Sequence, residues 1–286
     1  MSNASIARFL VIPATVFALA CGGGDTGGGE AATDDQPAAD AGAIQVDAAT
    51  AGTVMGRVAF EGTPPEGEPI DMSEEPTCAE QHTEPPMRMP AVVGADGGLA
   101  EVFVYVKEGL PDGTWATPSE PVELDQEGCR YHPHVLGLQT GQTLQIRNSD
   151  GLLHNINARP EDQRGFNVSQ PTDMTTDRQF AQAEVMIPVQ CDVHGWMEAY
   201  IGVLDHPYFA VTGEDGSFEI SNLPPGDYVV EAWHERYGTQ TVNVTVAESG
   251  EATADFTFGE SMAADAVVPL GEPIDLHGHT LAANTH

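Results

Sequence analysis

Positive charge is scarce in this chain: 10 Lys and Arg stand against 44 Asp and Glu, for a formal net charge of −34. Such a balance argues against nucleic acid and anionic lipid as partners, because both attract the opposite sign. Two readings of the acidity stay open, a surface that steers in a basic protein partner and an adaptation to a salty habitat. Long apolar runs are also missing. The longest, residues 9–20, has about twelve residues, too short to cross a bilayer as a helix. No long stretch carries the 3.6-residue periodicity of an amphipathic helix. Cysteine is sparse, with four in all, and none forms a C-x-x-C pair or a C-x-x-C-H haem attachment site.

The short apolar run has a different use. Arg8 is the sole charge before it, and it ends at Leu19-Ala20-Cys21 followed by three glycines. Small residues before a cysteine and a flexible polar stretch after it resemble a bacterial lipoprotein signal. The resemblance implies that residues 1–20 are removed, that Cys21 carries the lipid, and that the protein sits in the cell envelope. Its place there would be the periplasmic face or the outer membrane and cell surface, anchored by lipid alone. Residues 21–50 are Gly, Ala and acidic residues without an aromatic, too polar to bury a core, and are expected to be a flexible tether.

From residue 53 the texture is β. Val54, Gly56, Val58 and Phe60 alternate with Met55, Arg57, Ala59 and Glu61, the period-2 pattern of a strand with one buried face. Val102, Val104 and Val106 repeat it, as do Leu144 and Ile146, then Val185, Ile187 and Val189, and later Val242, Val244 and Val246, and Phe256 and Phe258. Turn signals separate them: Gly94-Ala-Asp-Gly97, Pro111-Asp-Gly113, Gly213-Glu-Asp-Gly216 and Pro224-Pro-Gly226. The expectation is an all-β protein of sandwich type.

Two stretches carry family resemblances. T-x-E-D-G-x-F-x-I at residues 212–220 and L-P-P-G-x-Y at 223–228 resemble the carboxypeptidase regulatory-like, or transthyretin-like, sandwich. The G-x-V and A-x-V-x-V strands that open this family are absent just before Ala210. They occur instead at 52–60 and 100–106. The expected arrangement is therefore a sandwich split into 51–109 and 207–258, with a second β domain, 110–206, inserted, and a polar tail from 259 to 286. Two sandwiches in tandem is the rival arrangement.

The inserted region resembles the cupredoxins. Tyr131-x-Pro133, then Val135-x-Gly137-Leu138-x-x-Gly141-Gln142, looks like that family's early strand and turn. Leu153-His154-Asn155 matches its first ligand position, and Cys191-Asp-Val-His194-Gly-Trp-Met197 matches its closing ligand loop. The resemblance implies a Greek-key sandwich and one type 1 copper ion held by His154, Cys191, His194 and Met197. Its chemistry is coherent, since such a site uses two imidazoles and a thiolate in a plane with a weak axial thioether. Val185, Ile187, Val189 and Cys191 are expected to share one strand face, which delivers the thiol inward. Asn155 would brace the ligand loop by hydrogen bonding, and Trp196 and Phe180 would help exclude water.

With Cys21 and Cys191 so employed, Cys78 and Cys129 remain. In an oxidising envelope two spare cysteines are best read as a disulfide. His132, His134, His206 and His234 are expected to be surface or structural residues, with a second metal site at His134, His206 or His234 as the alternative. His277, His279 and His286 lie in the polar tail.

A fully ligated site without an open position suits outer-sphere electron transfer better than turnover, so the chain is expected not to be an enzyme. The leading expectation is a tethered single-electron carrier serving a redox protein such as a basic cytochrome or oxidoreductase. A copper-delivery lipoprotein and a structural β lipoprotein are the alternatives.

Overall fold

A computed structural model describes residues 42–263 of the protein. The signal segment, Cys21, residues 22–41 of the expected tether, and the tail from 264 with His277, His279 and His286 lie outside the described residues. Nearly all the regular structure of the described residues is β-strand, and no helix among them is long and apolar enough to cross a membrane.

One pair of sheets gathers strands from both ends of this region. Gly52–Glu61 pairs antiparallel with Ser217–Leu223 and parallel with Glu251–Thr253 and Phe256–Gly259. The facing sheet runs Phe209–Val211, Phe103–Glu108, Gly226–His234 and Gly238–Val246. The inward residues of the alternating patterns meet between them: Val54, Val58, Phe60, Val104, Val106, Val230, Phe256 and Phe258 form one apolar core. Two strands that precede residue 110 thus complete sheets whose other members all follow residue 208.

A second pair of sheets lies between them in sequence. One sheet runs Phe166–Gln170, His154–Ala158, Glu184–Gln190, Glu198–Leu204 and Val135–Gln139. The other runs Met174–Arg178, Leu144–Asn148, Val122–Glu127 and Arg130–His132. Leu124, Leu144, Ile146, Phe180, Ile187, Val189, Ile201 and Val203 fill the space between.

The sandwiches meet over a third, smaller cluster. Gly137 and Gly202 stand side by side in register on neighbouring strands, and Phe103 and Phe209 press onto them with ring centroids 5.6 Å apart. A Cβ on Gly202 would lie 2.4 Å from the Phe103 ring, and one on Gly137 2.5 Å from that of Phe209. Only residues without a side chain leave this trough open. The first four residues of Phe103–Glu108 are consequently buried on both faces: Val104 and Val106 enter the first core, Phe103 and Tyr105 the junction.

The structure departs from the sequence expectations in five places. Ile70, Met72 and Cys78 do not join the sandwich of residues 51–109. They pack into the second core, where the Cys78–Cys129 disulfide ties their segment to the turn between Val122–Glu127 and Arg130–His132. Trp115, within 110–206, crosses the other way and packs edge-on against Tyr208 in the first core. The tether ends earlier than residue 50, because Ile44 and Val46 find apolar surface on the first core and the Ile44 N–H donates to Thr114 O at 2.7 Å. At the other end Met262 and Ala263 still pack on that core, so the polar tail begins after 259. Finally, Val185 does not share a face with Ile187, Val189 and Cys191. Pairing with Glu198–Leu204 shifts register between Glu184 and Ile187, and Met186 takes φ +66°. This bulge turns Val185 and Met186 toward the junction.

Candidate metal centre

Cys191 directly follows the strand Glu184–Gln190, and beyond the bulge the alternation Ile187, Val189, Cys191 carries its thiol into the second core, where it is fully buried. The next six residues close on themselves: the Met197 N–H donates to His194 O at 2.9 Å and the Cys191 N–H to Met197 O at 3.1 Å. This short turn buries His194 and Met197 beside Cys191. His154 opens the adjacent strand, His154–Ala158, which pairs with Glu184–Gln190 at its far end. It is also fully buried.

These elements bring His154, Cys191 and His194 together, with one donor atom of each within 4.8 Å of the others. His154 Nδ1 lies 2.9 Å from His194 Nδ1, and Cys191 Sγ lies 3.9 Å from His194 Nδ1. The two Nδ1 atoms face each other, so both rings turn a nitrogen toward one point where a metal ion could sit. Met197 is buried in the same core cluster as Cys191. Two imidazoles, a thiol and a nearby thioether, all shielded from water, form a donor set that fits a soft or borderline metal ion.

The electrostatics favour ligand ionisation. Burial alone would push the Cys191 thiol up, but hydrogen bonds with His154 and His194 bring it down to about 6. Burial would likewise lower His154, yet its hydrogen bond to Asp150 and the neighbouring Cys191 hold it at about 9. The backbone N–H of His194 adds a donor to the sulfur at 3.4 Å. Thiolate is the form that binds metal.

Around the donors sits a polar shell. Asn155 Oδ1 accepts from the Asp192 N–H at 2.6 Å and lies 3.3 Å from Cys191 Sγ, while its amide donates to Asn167 and Asp192. The expected brace on the ligand loop is thus an extended one. The Asp192 carboxylate accepts from the amides of Asn155, Asn157 and Asn167. Burial would raise this carboxyl, but those amides hold it below the usual range. The Trp196 ring lies 5.2 Å from that of His194, and its Nε1–H donates to Cys129 O at 2.9 Å. Phe180 packs on Phe166 in the core.

Three features escaped the sequence reading. The Cys78–Cys129 disulfide reaches the centre, with Cys78 Sγ 3.6 Å from His194 Nε2. Asp150 bonds the outer nitrogen of His154. Asp192 anchors three asparagines. Asp150 carries one available signal, its place four residues before His154 on a Gly-containing loop, but in so acidic a chain that signal has little contrast.

His134, His206 and His234 play structural parts. His134 donates to Glu235 at 3.0 Å across the junction. Burial drives His206 and His234 down to about 4. Among the described residues no cluster of three metal-ligand side chains includes His134, His206 or His234.

A model of the carboxypeptidase regulatory-like domain matches residues 198–259. That match starts on Glu198–Leu204, a strand that in the structure pairs with Val135–Gln139 and Glu184–Gln190 in the second sandwich. No curated protein matches the chain. Among solved structures, similarity is found to a Cu-containing nitrite reductase from Thermus scotoductus SA-01, at 19% identity over 34% of this chain and 25% of that one, TM-score 0.28. A purple cupredoxin from Nitrosopumilus maritimus is similar at 19% identity over 28% of this chain and 97% of its own, TM-score 0.25. Amicyanin from Paracoccus versutus is similar at 18% over 35% and 96%, TM-score 0.27. The chain thus spans 25% of the reductase's length. It is an all-β protein in which a model of the carboxypeptidase regulatory-like domain matches residues 198–259.

Proposed function

We propose that the chain is a type 1 copper protein that carries single electrons while tethered to the cell envelope through Cys21. One observation carries this reading: the Nδ1 atoms of His154 and His194 and the Sγ of Cys191 converge in the buried core that also holds Met197. Zinc would prefer four imidazole, thiolate or carboxylate donors, and a thioether is a poor substitute. Copper accepts the set in both oxidation states, because the sulfurs favour Cu(I) and the imidazoles accommodate Cu(II). The bound ion would supply a one-electron couple. Its protein ligands are held by β strands and a doubly bonded turn, a rigid setting that suits transfer without rearrangement. The acidic surface would steer a basic redox partner.

The test is an absorption spectrum of the full chain titrated with Cu(II) to one equivalent, followed by redox cycling. The expected result is an intense thiolate-to-copper band in the visible that ascorbate bleaches, reoxidation restores, and Cys191→Ser abolishes. Folded protein without the band overturns the type 1 assignment. A band that does not survive repeated cycling overturns electron carriage and favours copper delivery.

A further inference from the structure

The two ligand imidazoles are treated differently on their outer sides. His194 turns Nε2 toward a neutral disulfide sulfur, whereas His154 turns Nε2 toward a carboxylate. We propose that Asp150 is a positioning residue that fixes the His154 ring and holds the reduction potential of the centre down. This inference rests on the copper reading above.

The geometry is built for it. The Asp150 side chain is 1% exposed. Its carboxylate accepts from His154 Nε2 at 2.7 Å, from the Gly128 N–H at 2.6 Å and from the Cys129 N–H at 2.8 Å. When His154 binds metal through Nδ1, all three donors are neutral N–H groups, so the carboxylate keeps its full negative charge next to a ligand.

The chain goes to some trouble to place those donors. Gly128 and Cys129 form the two-residue turn between Glu127 and Arg130, with φ +62° and +52°. Type I′ hairpin turns need positive φ at both central positions and usually place glycine, asparagine or aspartate there. A cysteine at the second position is held by its disulfide to Cys78. The turn aims two adjacent N–H groups at one carboxylate. On the other side the Asp150 N–H donates to Asn148 Oδ1 at 3.1 Å, and the Asn148 amide bonds Leu152 O and Gln170 O. Asp150 is therefore clamped from two strands before it meets the histidine.

A carboxylate on the outer nitrogen orients a metal-bound imidazole and raises its basicity. Its charge, in a water-poor interior, favours the higher charge on the metal. Both effects stabilise Cu(II) relative to Cu(I).

The experiment compares the copper-loaded full chain with Asp150→Asn, using Asp162→Asn as a control that removes an equal charge from the exposed surface. Cu(II) affinity is expected to fall about 10–100-fold in Asp150→Asn, with Cu(I) affinity changed less. Each tenfold change in the ratio of the two affinities raises the potential by about 59 mV for a one-electron couple. Asp162→Asn should leave the potential unchanged. A second measurement needs no variant: in the diamagnetic Cu(I) protein the His154 Nε2 proton should be visible by NMR and protected from exchange with water.

An unshifted potential in folded Asp150→Asn overturns the proposal. So does a His154 Nε2 proton that exchanges freely in the wild type, even where the variant fails to fold. Absence of the charge-transfer band in the wild type overturns the copper reading itself, which separates the two failures.

Discussion

The two sandwiches are built from the same strand patterns but fill their interiors differently. Between Gly52–Glu61 and its partners the core is aliphatic and aromatic, and the buried polar residues of that half are Thr212, Glu231 and His234. Glu231 is fully paired, accepting from Tyr105 Oη and Lys107 Nζ. The half that holds the candidate site buries Gln126, Gln139, Gln142, Asn148, His154, Asn155, Gln170 and His194. Several of these form one network: Gln126 bonds Gln170, Gln170 meets Asn148 through its carbonyl, and Asn148 receives the N–H of Asp150. Buried polar groups are costly unless satisfied, and once satisfied they fix a single arrangement. The contrast teaches that one half is built for stability while the other gives up apolar area to hold a constellation in place.

That division can be broken by mutation. Phe256→Ala empties part of the apolar core and should cost about 3–5 kcal/mol, measured by urea unfolding of the metal-free protein. Copper affinity, measured by competition with a chelator, should stay as it was. A parallel loss of affinity would show that the two halves are not separable.

The seam between them offers a second test, of smaller effect. Burial alone would push His134 down, but its hydrogen bond to Glu235 and the charges of Glu235, Glu101 and Glu198 hold it up at about 9. A histidine raised in the folded state contributes stability that is complete below its unfolded value of 6.5 and lost as pH rises through about 9. Glu235→Gln should lower stability at pH 6 by about 2 kcal/mol, the value of a hydrogen bond to a charged group. It should also flatten the decline between pH 7 and 10. Thermal unfolding across that range would check both, and an unchanged slope would remove His134 as its source.

Asn148→Ala is expected to have the smallest effect on stability and the most telling one on function. It strands the carbonyls of Leu152 and Gln170 and should cost about 1–2 kcal/mol. Because Asp150 then loses a hold, Cu(II) affinity should fall, the reverse of the Phe256→Ala pattern. Retention of full affinity would confine the amide network to folding.

Much of the candidate site is local and so was legible. Cys191, His194 and Met197 lie on one short turn, and His154 announces itself through its Leu-His-Asn context. The paired Cys78 and Cys129 followed from counting thiols against compartment, but nothing in their spacing said that the bridge would lie against His194. Asp150 was invisible for a different reason. A carboxylate in a chain with 44 acidic residues looks like surface, and only the fold shows that this one is buried behind His154.

The sequence by itself determined the all-β texture, the faces of most strands and the chemistry of the donor side chains. These are properties of alternation and residue type, encoded within a few positions. Tertiary structure alone decided what each buried face meets. It buried residues 103–106 on both sides, sent Ile70, Met72 and Cys78 to the second core, turned Val185 away at a bulge, and set a carboxylate behind His154. The physical reason is that a period-2 pattern records that a face is hidden from water but not by what. The partner is chosen by contacts between residues far apart in the chain, and such contacts leave no local signature.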